Sequence, residues 1–411
     1  MSKLFNLGHR PLDQLPCGAG ALACSLRPRP AAIWGALGLV TLLALVAPGT
    51  LPAQSAAPTG VSAKYLGAPS CASSSCHGGG GEHQNQHLVW SLKDYHSQRP
   101  VATLATARSR QIADALHLSD PTSDARCTTC HAPLQAVPAG LRGPGFNAAE
   151  GVTCESCHGP AENWLRAHTR HDWSHADRVF AGLRDLSNLY VRANTCVACH
   201  QTVELPLLSA GHPELTFELD GQSAAEPRHW QEATNWNRAQ TWYVGQAVAL
   251  RELSWQLGRE PQSDPHLIAR WQALAWLLQK LNGLDPALPG VGTLASAATP
   301  DNFRTAQRAA DTAALTAATL NWPATLAPAM LARLAGTTAD FATPVTGELP
   351  ARQAERLVLA LDRLLLAQSP PAPPSASDKL NELFKAAQSI PDFEPAGFGV
   401  TLGQFAGILQ P

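Results

Sequence analysis

The sequence GVTCESCHGPAENWLRAH, residues 151–168, contains two cysteines separated by two residues, followed directly by His158. The same five-residue pattern recurs as CTTCH at residues 127–131 and as CVACH at residues 196–200. One such pentapeptide arises by chance in a chain of this composition with a probability on the order of 1%. Three copies therefore indicate one shared chemical role.

Cys-x-x-Cys-His is typical of covalent haem attachment. The two thiols add to the two vinyl groups of one porphyrin, and the adjoining histidine reaches the iron from one face. The three motifs therefore predict six covalent anchors and three proximal iron ligands. The anchors are Cys127, Cys130, Cys154, Cys157, Cys196 and Cys199, and the ligands are His131, His158 and His200.

Two other site types use paired cysteines. A zinc ribbon fills its metal with four thiolates, which leaves no role for a histidine after every pair. A disulfide framework suits an exported chain but does not require histidine at a fixed offset. The repeated histidine therefore favours haem over both, and nearly excludes a purely structural or zinc-binding module.

A fourth candidate motif, CASSSCH at residues 71–77, has four residues between its cysteines. It keeps the Cys-His pair, with Cys71 and Cys76 as thiols and His77 as ligand. A four-residue spacer of small side chains can bulge away from the porphyrin without displacing either thiol. We therefore expect four covalently bound haem c groups, each with its iron.

The N-terminus has the pattern of an export signal. Two arginines precede an uncharged apolar run at residues 31–47, and small residues suited to cleavage follow near Ala56. The run is at the short edge of a membrane span, so a retained anchor is the alternative to a cleaved signal at residues 1–55. Both interpretations deliver the rest of the chain outside the cytoplasm. The net charge of −2 argues against a nucleic-acid partner.

Cysteine distribution divides the remainder of the chain. After the leader, all cysteines lie between Cys71 and Cys199. Residues 62–220 therefore form the predicted tetrahaem domain, with short helices and long loops around stacked haems. Residues 228–368 show longer helical periodicity and predict an α-helical domain. A Pro/Ser-rich linker is expected at 369–377 and a C-terminal tail at 378–411, so the fold class is mainly α.

Histidines beyond the motifs can supply the second iron ligand. His96 ends an apparent helix, His168 follows the third motif by ten residues, and His212 follows the fourth by twelve. His83 and His87 also border the first motif, although a solvated polar loop is the favoured interpretation. Further histidines, including His229, lie in contexts that favour packing or surface positions.

These motifs resemble the tetrahaem cytochrome c-554 family and related multihaem cytochromes. The resemblance rests on WSLKDYHSQRP, CTTCH, GVTCESCHGPAENWLRAH and CVACH in that order, and covers about residues 65–220. The spacer of the first motif and the long C-terminal part depart from the family pattern. The resemblance implies electron transfer in the periplasm, linked to nitrogen-oxide chemistry.

The resemblance also implies second ligands. His96 would bind the third haem opposite His158, and His168 would bind the first haem opposite His77. By position, His212 would complete the haem of His200. The second haem, that of His131, would be five-coordinate, as in the family.

Two functions follow as hypotheses. The first is an exported cytochrome that relays electrons between periplasmic or membrane redox partners. The alternative is an oxidoreductase that acts on nitric oxide, hydroxylamine or nitrite at an open face of the haem of His131. Asp124 and Arg126 adjoin that motif, although a solvated loop is the favoured interpretation for both. The sequence names no donor or acceptor, and the chain would meet a membrane only if the leader is retained.

Overall fold

A computed structural model describes four stretches of the chain: residues 63–259, 264–343, 347–388 and 392–410. The expected leader, including the apolar run at 31–47, lies outside the described residues. Within them the fold is mainly α, as predicted, and the β-structure is an isolated parallel bridge between Tyr65 and Arg142. None of the described helices combines the length and apolar character needed to span a bilayer.

The motif-bearing part is built from short helices. Many are opened by a polar residue whose side chain accepts a backbone N–H of the first turn, as Asp94, Asp124 and Asn188 do. Their bounds are α1 (Gln86–Lys93), α2 (Tyr95–Leu104), α3 (Ala107–Ala115), α4 (Ala125–His131), α5 (Cys154–His158), α6 (His175–Phe180), α7 (Leu189–His200), α8 (Leu205–Ser209) and α9 (Leu219–Ala225). Short 3₁₀ turns lie at Ala68–Cys71, Ala139–Leu141 and Ala167–Thr169.

The C-terminal part consists of longer helices. Proline opens four of them, at a position where the missing N–H costs no intrahelical hydrogen bond. Their bounds are α10 (Arg238–Leu257), α11 (Pro265–Gln279), α12 (Pro300–Thr319), α13 (Leu326–Ala335), α14 (Glu348–Leu366), α15 (Pro374–Ala387) and α16 (Pro395–Ile408). A 3₁₀ turn at Thr337–Phe341 follows α13.

Helix α10 lies at the centre of the core. Trp242, Tyr243 and Leu250 are fully buried, and the unbroken run of buried residues from Ala239 to Leu250 means that all sides of the helix are covered here. Helix α12 packs along α10 through a face of alanines, whose small side chains let the two backbones approach closely. These alanines are Ala306, Ala310, Ala313, Ala314 and Ala317.

Helix α7 connects the core to the fourth motif. One face carries Leu189, Ala193 and Val197, which are buried in the same hydrophobic cluster as α10 and α12. The last turn of the same helix carries Cys196 and His200. The C-terminal helices therefore position a haem motif directly, and one hydrophobic cluster spans the boundary expected between residues 220 and 228.

The end of the chain differs from the expected linker and tail. Helix α15 begins at Pro374, inside the proposed linker 369–377, and α15 and α16 together cover most of the proposed tail 378–411. Leu383 and Leu402 are fully buried against the core. Proline is tolerated in the first turn of a helix, so the Pro-rich segment starts α15 instead of separating two units.

Candidate haem-binding site

Three of the four motifs lie at the ends of helices. CTTCH closes α4, CESCH forms α5 and CVACH closes α7, so each histidine occupies the last helical position. One helical turn places the two thiols and the histidine of a motif on neighbouring positions. Helix α5 is fixed by a capping box, in which Thr153 N–H donates to Ser156 Oγ at 3.0 Å.

The first motif forms a sequence of turns. The backbone N–H of His77 donates to Cys71 O at 3.2 Å, which closes the loop despite the longer spacer. Ser73, Ser74 and Ser75 are exposed, whereas Cys71 is buried. The extra residues therefore project into solvent, as the bulge hypothesis expects.

Glu155, the residue after Cys154, holds the first and third motifs together. Its carboxylate accepts the backbone N–H groups of Leu66 at 2.9 Å, Gly67 at 2.7 Å and Ala161 at 2.8 Å. The residue is 1% exposed, so these hydrogen bonds satisfy a buried charge. Glu155 thereby anchors the chain that leads into Cys71.

The eight motif cysteines are free thiols, so all of them are available to carry haem. Their thiols meet across motifs. Interaction between Cys71 and Cys154 lowers the pKa of Cys71 and raises that of Cys154. A similar interaction joins Cys130 of the second motif to Cys199 of the fourth, and it lowers the pKa of Cys130 and raises that of Cys199.

The third and fourth motifs also adjoin. Burial raises the pKa of Cys196 to about 12, and the nearby Cys157 thiolate contributes to the shift. Together with the other thiol contacts, this places the motifs in the spatial order first, third, fourth, second.

Three pairs of histidine rings lie close together, and the two members of each pair come from distant parts of the chain. The ring centroids of His77 and His168 are 6.1 Å apart, with planes inclined by 16°. Those of His96 and His200 are 5.9 Å apart at 84°, and those of His131 and His212 are 6.5 Å apart at 76°. Each pair combines one motif histidine with one histidine from outside the motifs.

This spacing fits an iron between the rings. An imidazole nitrogen binds a transition metal at about 2 Å and lies roughly 1 Å from its own ring centroid. Two imidazoles on opposite faces of one metal therefore place their centroids about 6 Å apart. The three observed separations match this value, and the neighbouring free thiols match covalent attachment of the same group.

The pairing agrees only partly with the one that the resemblance implied. His168 faces His77, the implied arrangement. His96 faces His200 instead of His158, and His212 faces His131 instead of His200. The expected open face at His131 is thus opposed by a histidine. The position of His212 shortly after the fourth motif suggested His200 as its partner, but the loop after α8 brings His212 next to the second motif.

His158 has a different neighbour, His229. Burial lowers the pKa of His158 to about 4, and the positive charge of His229 is the largest further contribution. His229 is half-buried and lies in the irregular segment between α9 and α10. Sequence reasoning treated it as a packing or surface histidine. The number of ligands could have indicated a further histidine: four motifs can use four second ligands, and the sequence analysis assigned three.

The second ring nitrogen of most paired histidines contacts a neutral oxygen. Nδ1 of His131 lies 2.8 Å from Pro100 O, and Nδ1 of His212 lies 2.9 Å from Pro213 O. His77 Nδ1 lies 2.9 Å from the side-chain oxygen of Gln86. Such contacts fix the ring orientation and leave Nε2 for a metal.

His96 is held by two carboxylates instead. Hydrogen bonds with Asp94 and Glu226 raise the pKa of His96 to about 10. Although burial opposes the shift, the hydrogen bond with His96 helps to lower the pKa of Asp94 to about 2. Burial raises the pKa of Glu226. Sequence reasoning missed both carboxylates. Glu226 lies 130 residues from His96 in the chain, and Asp94, although only two residues away, was not recognised as a partner of the ring.

Burial keeps His200, the histidine beside His96, neutral. It lowers the pKa of His200 to about 4, with a smaller contribution from the charge of His96. A neutral imidazole offers the lone pair that iron requires, so binding of iron to His96 would displace the proton that this ring otherwise carries at neutral pH. His200 and His158 are therefore in the ligating form throughout the neutral pH range.

Comparison with known proteins agrees with this donor set. No curated protein and no solved structure matches the chain significantly. A family model described as cytochrome c554 and c-prime matches residues 70–159, which contain the first, second and third motifs. Over this region the chain is similar to the cytochrome c554 and c-prime family, which supports a multihaem c-type cytochrome.

Proposed function

We propose that this protein is an exported cytochrome with four bis-histidine haems, which relays electrons between other redox proteins. The observation that carries the proposal is the set of three histidine pairs with ring centroids about 6 Å apart, each beside free motif thiols. For the fourth haem we propose His229 as the partner of His158, because His229 is the histidine whose charge contributes most to the lowered pKa of His158.

Haem supplies reversible one-electron chemistry when it is bound. The histidine pairs would hold it from both faces and leave no position for an exogenous ligand. Two imidazoles per iron would keep the coordination the same in both oxidation states, which suits electron transfer more than substrate binding. The cysteines add two covalent bonds per group, so the relative positions of the sites are fixed.

The contacts between motifs support a continuous route. The first motif meets the third through Cys71 and Cys154, and the fourth meets the second through Cys199 and Cys130. The third and fourth meet through Cys157 and Cys196. A relay with this order has its two ends at the first and second motifs, where partners would donate or accept electrons.

The alternative, reduction or oxidation of a small nitrogen compound, requires an open face at His131. His212 stands opposite that ring, which favours the relay. Asp124 and Arg126 do not provide acid–base machinery in this arrangement. Asp124 caps α4 by accepting the backbone N–H of Arg126 at 2.9 Å, and the two side chains form an ion pair at 3.5 Å.

Spectroscopy of the purified exported protein tests the relay against the enzyme. We expect four low-spin ferric haems per chain and no spectral change on addition of cyanide or nitric oxide. A high-spin signal that shifts with either ligand would overturn the relay proposal and favour the open-site enzyme. Fractionation of cells that express the full chain tests export: we expect the haem protein outside the cytoplasm.

A further inference from the structure

One of the paired histidines has a negatively charged environment. Glu226 Oε1 lies 2.7 Å and Asp94 Oδ1 lies 3.2 Å from Nδ1 of His96. The corresponding nitrogens of four other paired histidines contact an amide oxygen or a backbone carbonyl. These four are His77, His131, His168 and His212.

Asp94 is shielded from water and Glu226 is shielded in part. Asp94 is 7% exposed and accepts the backbone N–H of His96 at 2.7 Å, which fixes it at the start of α2. The side chain of Glu226 is 21% exposed and follows the end of α9. Charges in such positions are screened by salt much less than surface charges.

A carboxylate on the outer nitrogen of a ligating histidine makes the inner nitrogen a stronger donor. A stronger donor and nearby negative charge both stabilise ferric over ferrous iron, so the reduction potential falls. Building on the proposed relay, we propose that Asp94 and Glu226 make the haem held by His96 and His200 the lowest-potential of the four.

The adjacent third motif has a positive charge beside it, and the more distant Asp94 and Glu226 also act on its Cys157. The guanidinium of Arg184 donates to Ser156 O at 2.8 Å and to Cys157 O at 2.9 Å. Its positive charge favours the ferrous state of a haem held by Cys157.

Two substitutions test this assignment. Glu226→Gln keeps an oxygen acceptor for His96 but removes the charge, and should raise the lowest of the four midpoint potentials while the others move little. Gln86→Glu places a carboxylate on His77 at the first position of α1, where negative charge suits the helix dipole. It should lower a different potential, that of the first haem.

The readout is a spectroelectrochemical titration with parallel electron paramagnetic resonance, compared with the unmodified protein. Unchanged midpoint potentials in Glu226→Gln, with four low-spin haems retained, would overturn this assignment and leave the relay intact. A missing low-spin haem in the unmodified protein would instead overturn the relay. A divalent ion bound stoichiometrically by Asp94, His96 and Glu226 in the purified protein would also overturn the tuning role.

Discussion

His212 sits in a loop whose geometry is set by its neighbours. Gly211, before it, has φ +102°, a conformation that side-chain-bearing residues rarely adopt. Arg108 donates to the carbonyl of Gly211 at 2.5 Å, and the N–H of His212 donates to Leu207 O at 2.9 Å. These two hydrogen bonds position the ring beside that of His131, with the ring centroids 6.5 Å apart.

We therefore expect His212→Ala to convert one haem from low-spin to high-spin. Loss of the second imidazole leaves the iron of His131 with an open face, so the variant should bind cyanide or nitric oxide. Ultraviolet–visible and paramagnetic resonance spectra with and without ligand measure the change. His171→Ala, at an exposed histidine of the same part of the chain, is the control and should keep the parent spectrum.

The ring planes add a second residue-scale signature. His77 and His168 are nearly parallel, whereas the rings of the other two measured pairs are nearly perpendicular. The relative orientation of axial imidazole planes determines the anisotropy of a low-spin ferric signal. His168→Ala should thus remove a signal of different shape from the one that His212→Ala removes. Identical losses in the two variants would contradict the observed pairing.

At the scale of helices, the last two belong to the core. Leu402 in α16 is fully buried, and Val400 in the same helix is 64% exposed. The hydrophobic core cluster contains Leu402 together with Leu383 of α15. Helices α15 and α16 therefore contribute to the stability of the whole fold.

We expect Leu402→Ala to reduce the free energy of unfolding by about 2–5 kcal/mol, because it removes buried methyl groups and leaves a cavity. Val400→Ala, in the same helix, should change it by less than about 0.5 kcal/mol. Urea denaturation of the haem-loaded protein, followed by far-ultraviolet circular dichroism, measures both. Equal effects of the two substitutions would restore the interpretation of this region as a tail.

Helix α9 has a buried acidic cap. Glu218 accepts the backbone N–H groups of Asp220 and Gly221, next to Arg363. Burial, followed by the charge of Asp220, raises the pKa of Glu218 to about 7, and Arg363 opposes the shift. The folded state therefore retains a proton on Glu218 at pH values where the unfolded chain has released it.

This predicts a pH-dependent effect of Glu218→Gln. A raised carboxyl pKa means that folding stability falls as pH rises from about 4.5 to 7, by on the order of 3 kcal/mol for this group. Glutamine lacks this cost, so the stability of the variant relative to the parent should increase across the same window. Urea midpoints at intervals between pH 4 and 8 measure the difference. A difference that does not vary with pH would contradict the prediction.

For the whole molecule, the number of haems is the decisive quantity. Four motifs lie within one continuous stretch, and their thiols are close enough to interact in sequence. The proposed route from the first to the second motif uses all of them. Loss of any one site would therefore remove one redox equivalent and, for the third or fourth motif, interrupt the route.

We expect the mature chain to carry the mass of four covalent haems and to take up four electrons in a coulometric titration. Replacing both Cys71 and Cys76 by Ala should reduce both values to three, because the longer spacer still positions two thiols for one haem. Intact-protein mass spectrometry after removal of loosely bound pigment provides the measurement. Three haems in the unmodified chain would exclude CASSSCH as an attachment site.

The sequence alone determined the chemistry of each motif and the helical character of the chain. Both properties are local: five adjacent residues hold two thiols and an imidazole on one turn, and periodic apolar residues specify helices. The stretch at residues 228–368, predicted to be α-helical, accordingly contains helices α10 to α14. The prediction of a linker failed at Pro374: a Pro/Ser-rich composition typical of a linker is found where a packed helix begins.

Only the tertiary structure decided which histidine opposes which, and which carboxylates surround His96. The facing rings come from segments that are distant in the chain, and Glu226 reaches His96 across 130 residues. Such pairs depend on how helices pack, and on the path of irregular segments such as the one that carries His229. The spacing of residues along the sequence does not predict that path, because many different packings of the helices are compatible with the same local patterns.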